Sequence, residues 1–538
     1  MSVVELDVTV TDRQGSPITG LEREDFKLTL DGRNIESDYF AEVPGAGGQP
    51  LSILLLVDSR TLREASREVA FEQLLPEIGA LLAPEGARAR VVHYDGRIEL
   101  VQDWTPDPAA IEAAFAQVAS RPATGSSVDA RETLAQQALQ EMLANMRGSS
   151  SERIVAMASI DSVMGEMRTY AAEGLRETEQ ILLGLQSVVR SLALTPGRKA
   201  VVYLTGGWAV RPGGSAMNRI QSAMSGTSAR DNDPAAARVS QSDTPGTTLL
   251  GDGGIMSRDV SQEILRGRQA VENQDLSVEL DLLIAAANAY RIRFFPLMPP
   301  PGDAAAADAR ARGRGAIEVS DMREGLLRLA EETGGLSFIS ETSIVGALTE
   351  IARDSGHHYS LALDARGEAT APYRELGLKV RQRGAVVRFP RLHAPRSLEG
   401  RLVDLALAGL DATATANPHR LELASLGQSP GSDGRQQVQL ALMFPIERLG
   451  LAAASGLHQA SSQVAVAVLD ARGRLQDQQH LQVPLQIPDA DLDKARASFY
   501  RAAIELRLSP GTHRVGVAMW DSIAQAASLV VGRIEVGG

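Results

Sequence analysis

The residue with the clearest chemical potential is an aspartate that ends a run of apolar residues. In the stretch LLLVDSRTL, Asp58 follows three leucines and a valine, and the chain then becomes polar. Continuous apolar residues are typical of a buried parallel strand, and many nucleotide and metal sites begin where such a strand ends. Carboxylate, hydroxyl and water oxygens are the ligands of Mg²⁺. The stretch therefore predicts either a metal ligand at Asp58 or only the end of a strand.

Other motifs favour turns and strands over catalysis. The sequence GQSPG at 427–431 matches a nucleophile elbow, but an elbow needs a strand, a sharp turn and a helix, and β-patterned sequence lies on both sides here. His357 and His358 are adjacent and would point to opposite faces of a strand, which disfavours a shared metal. The run DND at 231–233 lacks the glycine and distal glutamate of a calcium loop. We find no catalytic constellation, and we expect a protein that is not an enzyme and has no cofactor.

Composition sets further bounds on the function. The chain has 538 residues, of which 44% are apolar and 22% are charged, with a net charge of −13 and no cysteine. The negative charge argues against binding nucleic acid or an anionic membrane surface. The lack of cysteine excludes disulfides and thiolate metal sites. No apolar run is long enough to predict a transmembrane helix, and no signal peptide pattern opens the sequence.

Strands and helices alternate between residues 51 and 356. Apolar strands such as LSILLLV, KAVVYLTGG and RIRFFPLM are separated by helical patterns such as PDPAAIEAAFAQV and MREGLLRLAEETGG. This alternation predicts an α/β domain with a doubly wound, mostly parallel sheet. Its last helix is expected to have Ser343 or Thr342 as its N-cap. Two stretches rich in small and polar residues, 210–254 and 299–315, are predicted as long loops that are either functional or unstructured.

Strand patterns flank this region on both sides. The first strand alternates polar residues with Val4, Leu6, Val8 and Val10. Period two predicts one buried face and one solvent-exposed face. Residues 1–50 and 357–394 are expected to form one small β domain, into which 51–356 is inserted, because neither flank alone has enough strands to be stable. Residues 395–538 are predicted to form an Ig-like antiparallel β-sandwich.

The order of five segments along nearly the whole chain is more specific than any one of them. These segments are VTVTDRQGSPITGLEREDFKLTLDG, TPGRKAVVYLTGG, LAEETGGLSFIS, IARDSGHHYSLAL and LSPGTHRVGVAMWD. In this order they resemble the von Willebrand factor A-related proteins first noted in acidobacteria. The resemblance implies a Rossmann-like von Willebrand A fold for residues 51–356.

The resemblance also implies where ligands would bind. Metal-binding members of the superfamily end their first strand in Asp-x-Ser-x-Ser, and they take a threonine from a second loop and an aspartate from a third. Here Asp58 holds the first position, while Arg60 and Leu62 replace the serines. Thr124 is the remnant of the second loop, and Gly206 or its neighbour replaces the third-loop aspartate. A guanidinium cannot bind a cation, so we expect a degenerate site without metal, in which Asp58 caps its strand or pairs with Arg60.

The predicted function is non-enzymatic protein–protein interaction, adhesion or assembly. The resemblance implies a periplasmic or extracellular location and a protein partner, whose identity and the oligomeric state the sequence does not give. Ligands of open α/β sheets bind at the carboxyl ends of the strands. The candidate ligand-binding residues are therefore Asp58, Ser59, Arg60, Thr124 and Gly206. Two alternatives remain open: a structural subunit of a larger assembly, and a metal-dependent ligand receptor in which waters replace the lost side chains.

Overall fold

The structure is a computed structural model. It describes residues 3–43, 51–121, 137–145, 148–214, 247–250, 254–257, 275–300, 318–339, 343–364, 373–394, 397–411, 416–431, 434–454 and 456–537. The first of these residues form four strands, which are β1 (Val3–Thr11), β2 (Phe26–Leu30), β3 (Arg33–Ile35) and β4 (Tyr39–Val43).

A six-stranded sheet forms the centre of the molecule. Its strands are β5 (Leu51–Asp58), β6 (Arg88–Tyr94), β7 (Ile98–Thr105), β8 (Arg198–Leu204), β11 (Ile292–Met298) and β12 (Phe338–Ile339). Their spatial order is β12-β11-β8-β5-β6-β7, and only β7 runs antiparallel to its neighbour. Between β8 and β11, two short strands, β9 (Thr247–Leu250) and β10 (Gly254–Ser257), pair with each other.

Helices cover both faces of this sheet. They are α1 (Glu64–Leu74), α2 (Ile78–Leu81), α3 (Pro108–Ala119), α4 (137–145), α5 (Ser150–Ser191), α6 (Ser277–Ala289), α7 (Glu318–Thr333) and α8 (Ala347–Asp354). Alternate residues of β5 point to opposite sides, so Leu54 packs in one apolar cluster with α5, α6 and α7, and Leu55 in another with α1, α3 and α8. The prediction of a mostly parallel sheet with helices on both faces is confirmed.

The predicted loops fall largely outside the described residues. In the stretch 210–254, the structure describes 210–214, β9 and the first residue of β10, and the two paired strands were not predicted. Of 299–315 it describes only residues 299 and 300.

The N-cap prediction for the last helix of this region was wrong. Helix α8 is capped by Gly346 at φ +85°, and Thr342 lies outside the described residues. The Ser343 hydroxyl accepts a hydrogen bond from the Val345 amide at 3.1 Å, which makes a turn before the helix. The carboxylate of Glu77 instead accepts hydrogen bonds from the helix's first amides, Leu348 among them at 3.0 Å.

Helix α5 is 42 residues long, or about 63 Å at 1.5 Å per residue. Its second half packs on the central sheet. Its first half packs against α4 in a separate apolar cluster that includes Met142, Ile160 and Met167. The backbone of Gln180 accepts a hydrogen bond from Tyr94, the last residue of β6. The helix therefore crosses the carboxyl edge of the sheet near Gln180, and its preceding turns extend beyond that edge.

Both flanks of the central region contribute to two β-sheets that share one apolar cluster. The strands after α8 are β13 (His358–Asp364), β14 (Arg374–Val380), β15 (Val386–Arg388) and β16 (Leu392–His393). They join the first four strands in the orders β15-β1-β13-β4 and β16-β14-β2-β3. The division into an inserted domain and its host, with the predicted boundaries, stays a prediction.

The prediction that one face of β1 is exposed to solvent was wrong for most of that face. Asp7, Thr9 and Thr11 are 5%, 2% and 3% exposed, so the polar face is buried from Asp7 onward, and only Glu5 at its start remains exposed. Arg293 from β11 reaches this face and donates to the Thr9 hydroxyl at 2.7 Å and to the Asp7 carbonyl at 2.8 Å. The alternating pattern correctly predicted a strand. Its polar face, however, is covered by the central region.

The last part of the chain is a helix followed by two packed antiparallel sheets. These elements are α9 (Leu398–Leu410), β17 (Glu422–Pro430), β18 (Gln436–Pro445), β19 (Ala452–Ala454), β20 (Leu457–Asp470), β21 (Leu475–Pro488), α10 (Leu492–Arg496), β22 (Phe499–Leu508), β23 (Gly511–Asp521) and β24 (Ala526–Val536). One sheet has the order β17-β18-β22, and the other has the order β19-β20-β23-β24 with β21 beside β20.

Helix α9 joins this sandwich to the central region. It packs against α5 on one side and against β20 and β23 on the other. A Cβ atom at Gly516 of β23 would lie 2.3 Å from the Ala406 carbonyl oxygen, so the helix and sheet backbones are in direct contact. Helix α9 is therefore both the connection between the two regions and part of their packed interface.

Candidate functional site

Asp58 stabilises the loop that follows its own strand. Its side chain is fully buried, and one carboxylate oxygen accepts hydrogen bonds from the backbone amides of Arg60 at 3.1 Å and Thr61 at 3.3 Å. The other oxygen accepts from the Tyr203 hydroxyl at 2.8 Å and the Thr205 hydroxyl at 3.4 Å. Burial raises the pKa of Asp58, although these hydrogen bonds act in the opposite direction. Both oxygens are therefore engaged by donors of the protein itself.

The guanidinium of Arg60 does not pair with Asp58. Its Nε donates to the Glu177 carboxylate of α5 at 3.3 Å, with both side chains partly exposed. The expected Arg60–Asp58 pairing occurs only through the Arg60 backbone amide. Glu177 was missed because it lies 117 residues away in sequence, on a helix whose position the sequence does not give.

Gly206 faces the backbone of the first loop. Its amide donates to the Thr61 hydroxyl at 2.9 Å, and a Cβ atom at this position would lie 2.0 Å from the Thr61 carbonyl oxygen. At Gly207, where φ is +95°, a Cβ atom would lie 2.9 Å from Cβ of Met322. An aspartate at Gly206 would require the loop after Asp58 to move, and an aspartate at Gly207 would require Met322 of α7 to move.

Ser59 begins a chain of polar contacts across the carboxyl edge. Its fully buried hydroxyl lies 2.9 Å from Nε2 of His93, the penultimate residue of β6. Nδ1 of the same ring lies 3.0 Å from Nη1 of Arg121, just beyond α3. Arg121 also donates to both carboxylate oxygens of Glu99, at 2.7 and 2.8 Å. Sequence reasoning missed His93 and Arg121, although His93 is the penultimate residue of β6 and Arg121 lies just beyond α3.

Thr124, the predicted remnant of the second loop, lies outside the described residues. Asp58, Ser59, Arg60 and Gly206 do lie together at the carboxyl edge. Among the residues that the structure describes, no group of three or more histidine, aspartate or glutamate side chains is placed to hold a metal ion.

A second serine–histidine contact lies in the C-terminal sandwich. His419 Nδ1 is 2.7 Å from the Ser528 hydroxyl, and His419 Nε2 is 3.4 Å from the Asp521 carboxylate. All three residues are at most 2% exposed. The Ser528 oxygen also accepts a hydrogen bond from the His419 amide. This arrangement fixes the segment before β17 and leaves no access for a substrate.

Comparisons with known proteins give weak structural likenesses. No family model and no curated protein matches the chain. The von Willebrand factor domain of the type V pilus tip protein Mfa5 from Porphyromonas gingivalis is 13% identical and has a TM-score of 0.24, covering 60% of this chain and 99% of that one. A von Willebrand factor type A structure from Catenulispora acidiphila is 10% identical and has a TM-score of 0.22, covering 100% of this chain and 74% of that one.

A β-glucuronidase from Bacteroides uniformis is matched over 33% of this chain at 10% identity and a TM-score of 0.15. The chain spans 19% of that enzyme's length. Because all of these scores are low, we interpret the site from its own contacts. None of the helices in the described parts of the chain has the length and apolar character needed to cross a bilayer.

Proposed function

We propose that this protein is a non-enzymatic binding protein of the von Willebrand A type, which takes part in adhesion or assembly in the periplasm or outside the cell. The observation that carries the proposal is the carboxyl edge of the central sheet. Asp58, Arg60 and Gly206 from two strand ends meet there, and α5 extends beyond them. Open α/β sheets bind their ligands at this edge. The location and the family are taken from the sequence resemblance.

A binding role is favoured over catalysis by the chemistry of the Ser59–His93 pair. Arginine side chains only donate hydrogen bonds, so Nδ1 of His93 accepts from Arg121 and Nε2 carries the proton. A histidine that donates to a serine hydroxyl cannot remove the proton of that hydroxyl. The hydroxyl is also fully buried. The pair therefore lacks the arrangement of a nucleophile and its general base.

Three observations support a degenerate metal site. Four protein donors already engage the Asp58 carboxylate, Gly206 has no room for an acidic side chain, and the guanidinium of Arg60 has no lone pair to offer a cation. Mg²⁺ needs several oxygen ligands in near-octahedral geometry. The contacts therefore favour a partner that binds without a bridging metal ion.

Calorimetric titration with Mg²⁺ or Mn²⁺ at millimolar concentration is expected to give no saturable heat. The reason is that the oxygens of Asp58 would have to exchange protein donors for the ion. Asp58→Asn is the matched variant, since it keeps the shape of the side chain. A micromolar dissociation constant that is lost in Asp58→Asn would contradict the degenerate site and favour the metal-dependent receptor.

Position-specific cross-linking separates the binding role from the purely structural one. A photoreactive amino acid is placed at Glu179, which is exposed on α5 near the edge, or at Arg533, which is exposed on β24 of the sandwich. We expect a cross-linked partner from Glu179, and we expect its loss when Arg60→Glu reverses the charge at the edge. Cross-linking only from Arg533 would favour a structural subunit held through its β domains.

A further inference from the structure

We propose that Arg121 is a positioning residue of the carboxyl edge: it holds His93 as a hydrogen-bond donor to Ser59 and so ties together the ends of β5, β6 and α3. This proposal rests on the proposed function for its biological meaning, because these are the loops that a partner would meet. Its chemistry concerns only contacts within the free protein.

The direction of each hydrogen bond in the chain follows from the donors present. Arg121 has no acceptor atom, so the 3.0 Å contact with Nδ1 of His93 requires a lone pair on that nitrogen. A neutral imidazole with a lone pair on Nδ1 carries its proton on Nε2. The 2.9 Å contact with the Ser59 oxygen is then a donation from histidine to serine.

Glu99 orients Arg121 for this task. Its two carboxylate oxygens accept two hydrogen bonds from the guanidinium, and such paired contacts fix the plane of the group as well as its position. The contact with His93 uses Nη1, which also donates to Glu99. Arg121 is thus held from the exposed side by Glu99 and directed toward the buried ring of His93.

Protonation of His93 would break the chain, because both ring nitrogens then carry hydrogen and Nδ1 faces a donor. Burial, and then the charge of Arg121, lower the pKa of His93 below its ordinary value of 6.5, and Arg67 acts in the same direction. Asp95 and Glu99 oppose them. Since the folded state favours the neutral ring, the contribution to stability is complete above pH 6.5 and is lost as pH falls through the folded-state pKa.

Nitrogen-15 spectra of the histidine rings in the full-length protein test the assignment. At pH 7.5, the ring of His93 is expected to be neutral with its proton on Nε2. Arg121→Met removes the donors and keeps much of the side-chain length, so the ring should become a mixture of tautomers with a pKa closer to 6.5. Ser59→Ala removes the acceptor alone and should leave the proton on Nε2.

Backbone hydrogen exchange gives a second readout. The Ser59 amide, which donates to the Tyr94 carbonyl at 2.9 Å, should exchange about tenfold faster in Arg121→Met, the effect of losing one hydrogen bond to a charged group. Arg97→Met is the control, since Arg97 is an exposed arginine at the same edge, and it should leave the rate unchanged.

A charged ring, or a proton on Nδ1, at pH 7.5 in the unaltered protein would overturn the proposal. A tautomer that depends on Ser59 and not on Arg121 would do the same. Failure to find a partner at the carboxyl edge would refute the proposed function and would leave these spectra as they are.

Discussion

Asp7→Asn is expected to lower the free energy of unfolding by about 3–5 kcal/mol, the cost of breaking a buried ion pair by removing one partner. The carboxylate of Asp7 is buried where β1 packs against the central region. It accepts from Arg291 at 2.7 Å, and Arg198 lies 3.9 Å away. Asparagine keeps the shape but removes the negative charge between these guanidinium groups, and Arg291 is left with only the exposed Glu5 as its partner. Denaturant unfolding followed by circular dichroism measures the change.

Glu5→Gln is the matched control for Asp7→Asn. Glu5 lies two residues away on β1 and also pairs with Arg291 at 2.7 Å, but its side chain is 55% exposed. Exposed ion pairs contribute about 0–1 kcal/mol. Equal losses in the two variants would show that burial does not decide the strength of this junction.

The same carboxylate should make stability depend on acid. Burial alone would raise the pKa of Asp7, but the charges of Arg291, Arg198 and Arg293 outweigh it and lower the pKa to about 2. Because the folded-state pKa is below the ordinary 3.8, the contribution is present above pH 3.8 and is lost as pH falls toward 2. Asp7→Asn should remove this part of the acid dependence.

Deleting residues 1–43 is expected to unfold β13 and β14 while the central region stays folded. The deletion removes β1 and with it Leu6, Val8 and Val10, which are at most 1% exposed. Burial of such a side chain contributes about 1.5–3 kcal/mol, so the loss of three is comparable with the whole stability of a small domain. The two apolar clusters of the central sheet contain no residue from 1–43.

Limited proteolysis with mass spectrometry tests the deletion. New cleavage should appear within β13 and β14, and β18 of the sandwich serves as an internal control that stays protected. If β13 and β14 remain resistant in the truncated protein, the two flanks do not depend on each other and the inserted architecture is wrong.

The fold could be predicted from the sequence where a local residue pattern determines the structure. The continuous apolar run at Leu51–Val57 predicted a strand buried on both faces, and alternation in β1 predicted a strand. The burial of most of the polar face of β1 could not be predicted from the sequence. Its partner Arg293 lies 284 residues from Thr9 in the chain, and only the packing of two sheets brings them together.

The candidate site could be predicted only in part, because local patterns are visible in the sequence and contacts between distant residues are not. Asp58 could be found because it ends an apolar strand. Glu177, His93 and Arg121 could not, since each acquires its role from a contact with a residue on another element. The restriction at Gly206 likewise depends on how closely the loop after Asp58 approaches, which the sequence does not record.

The pairing of β4 with β13 has a mechanical consequence. Val43, where the chain leaves β4 toward the central region, lies directly opposite His358, where the chain enters β13. A pull on the central region away from the β-sheets therefore draws β4 and β13 in the same direction and does not slide one past the other. The sliding load falls on β13 and its other neighbour β1, along the six residue pairs from Val3–Asp364 to Val8–Tyr359. Tension applied at the carboxyl edge would thus load the hydrogen bonds between β13 and β1, the first strand of the chain, in shear.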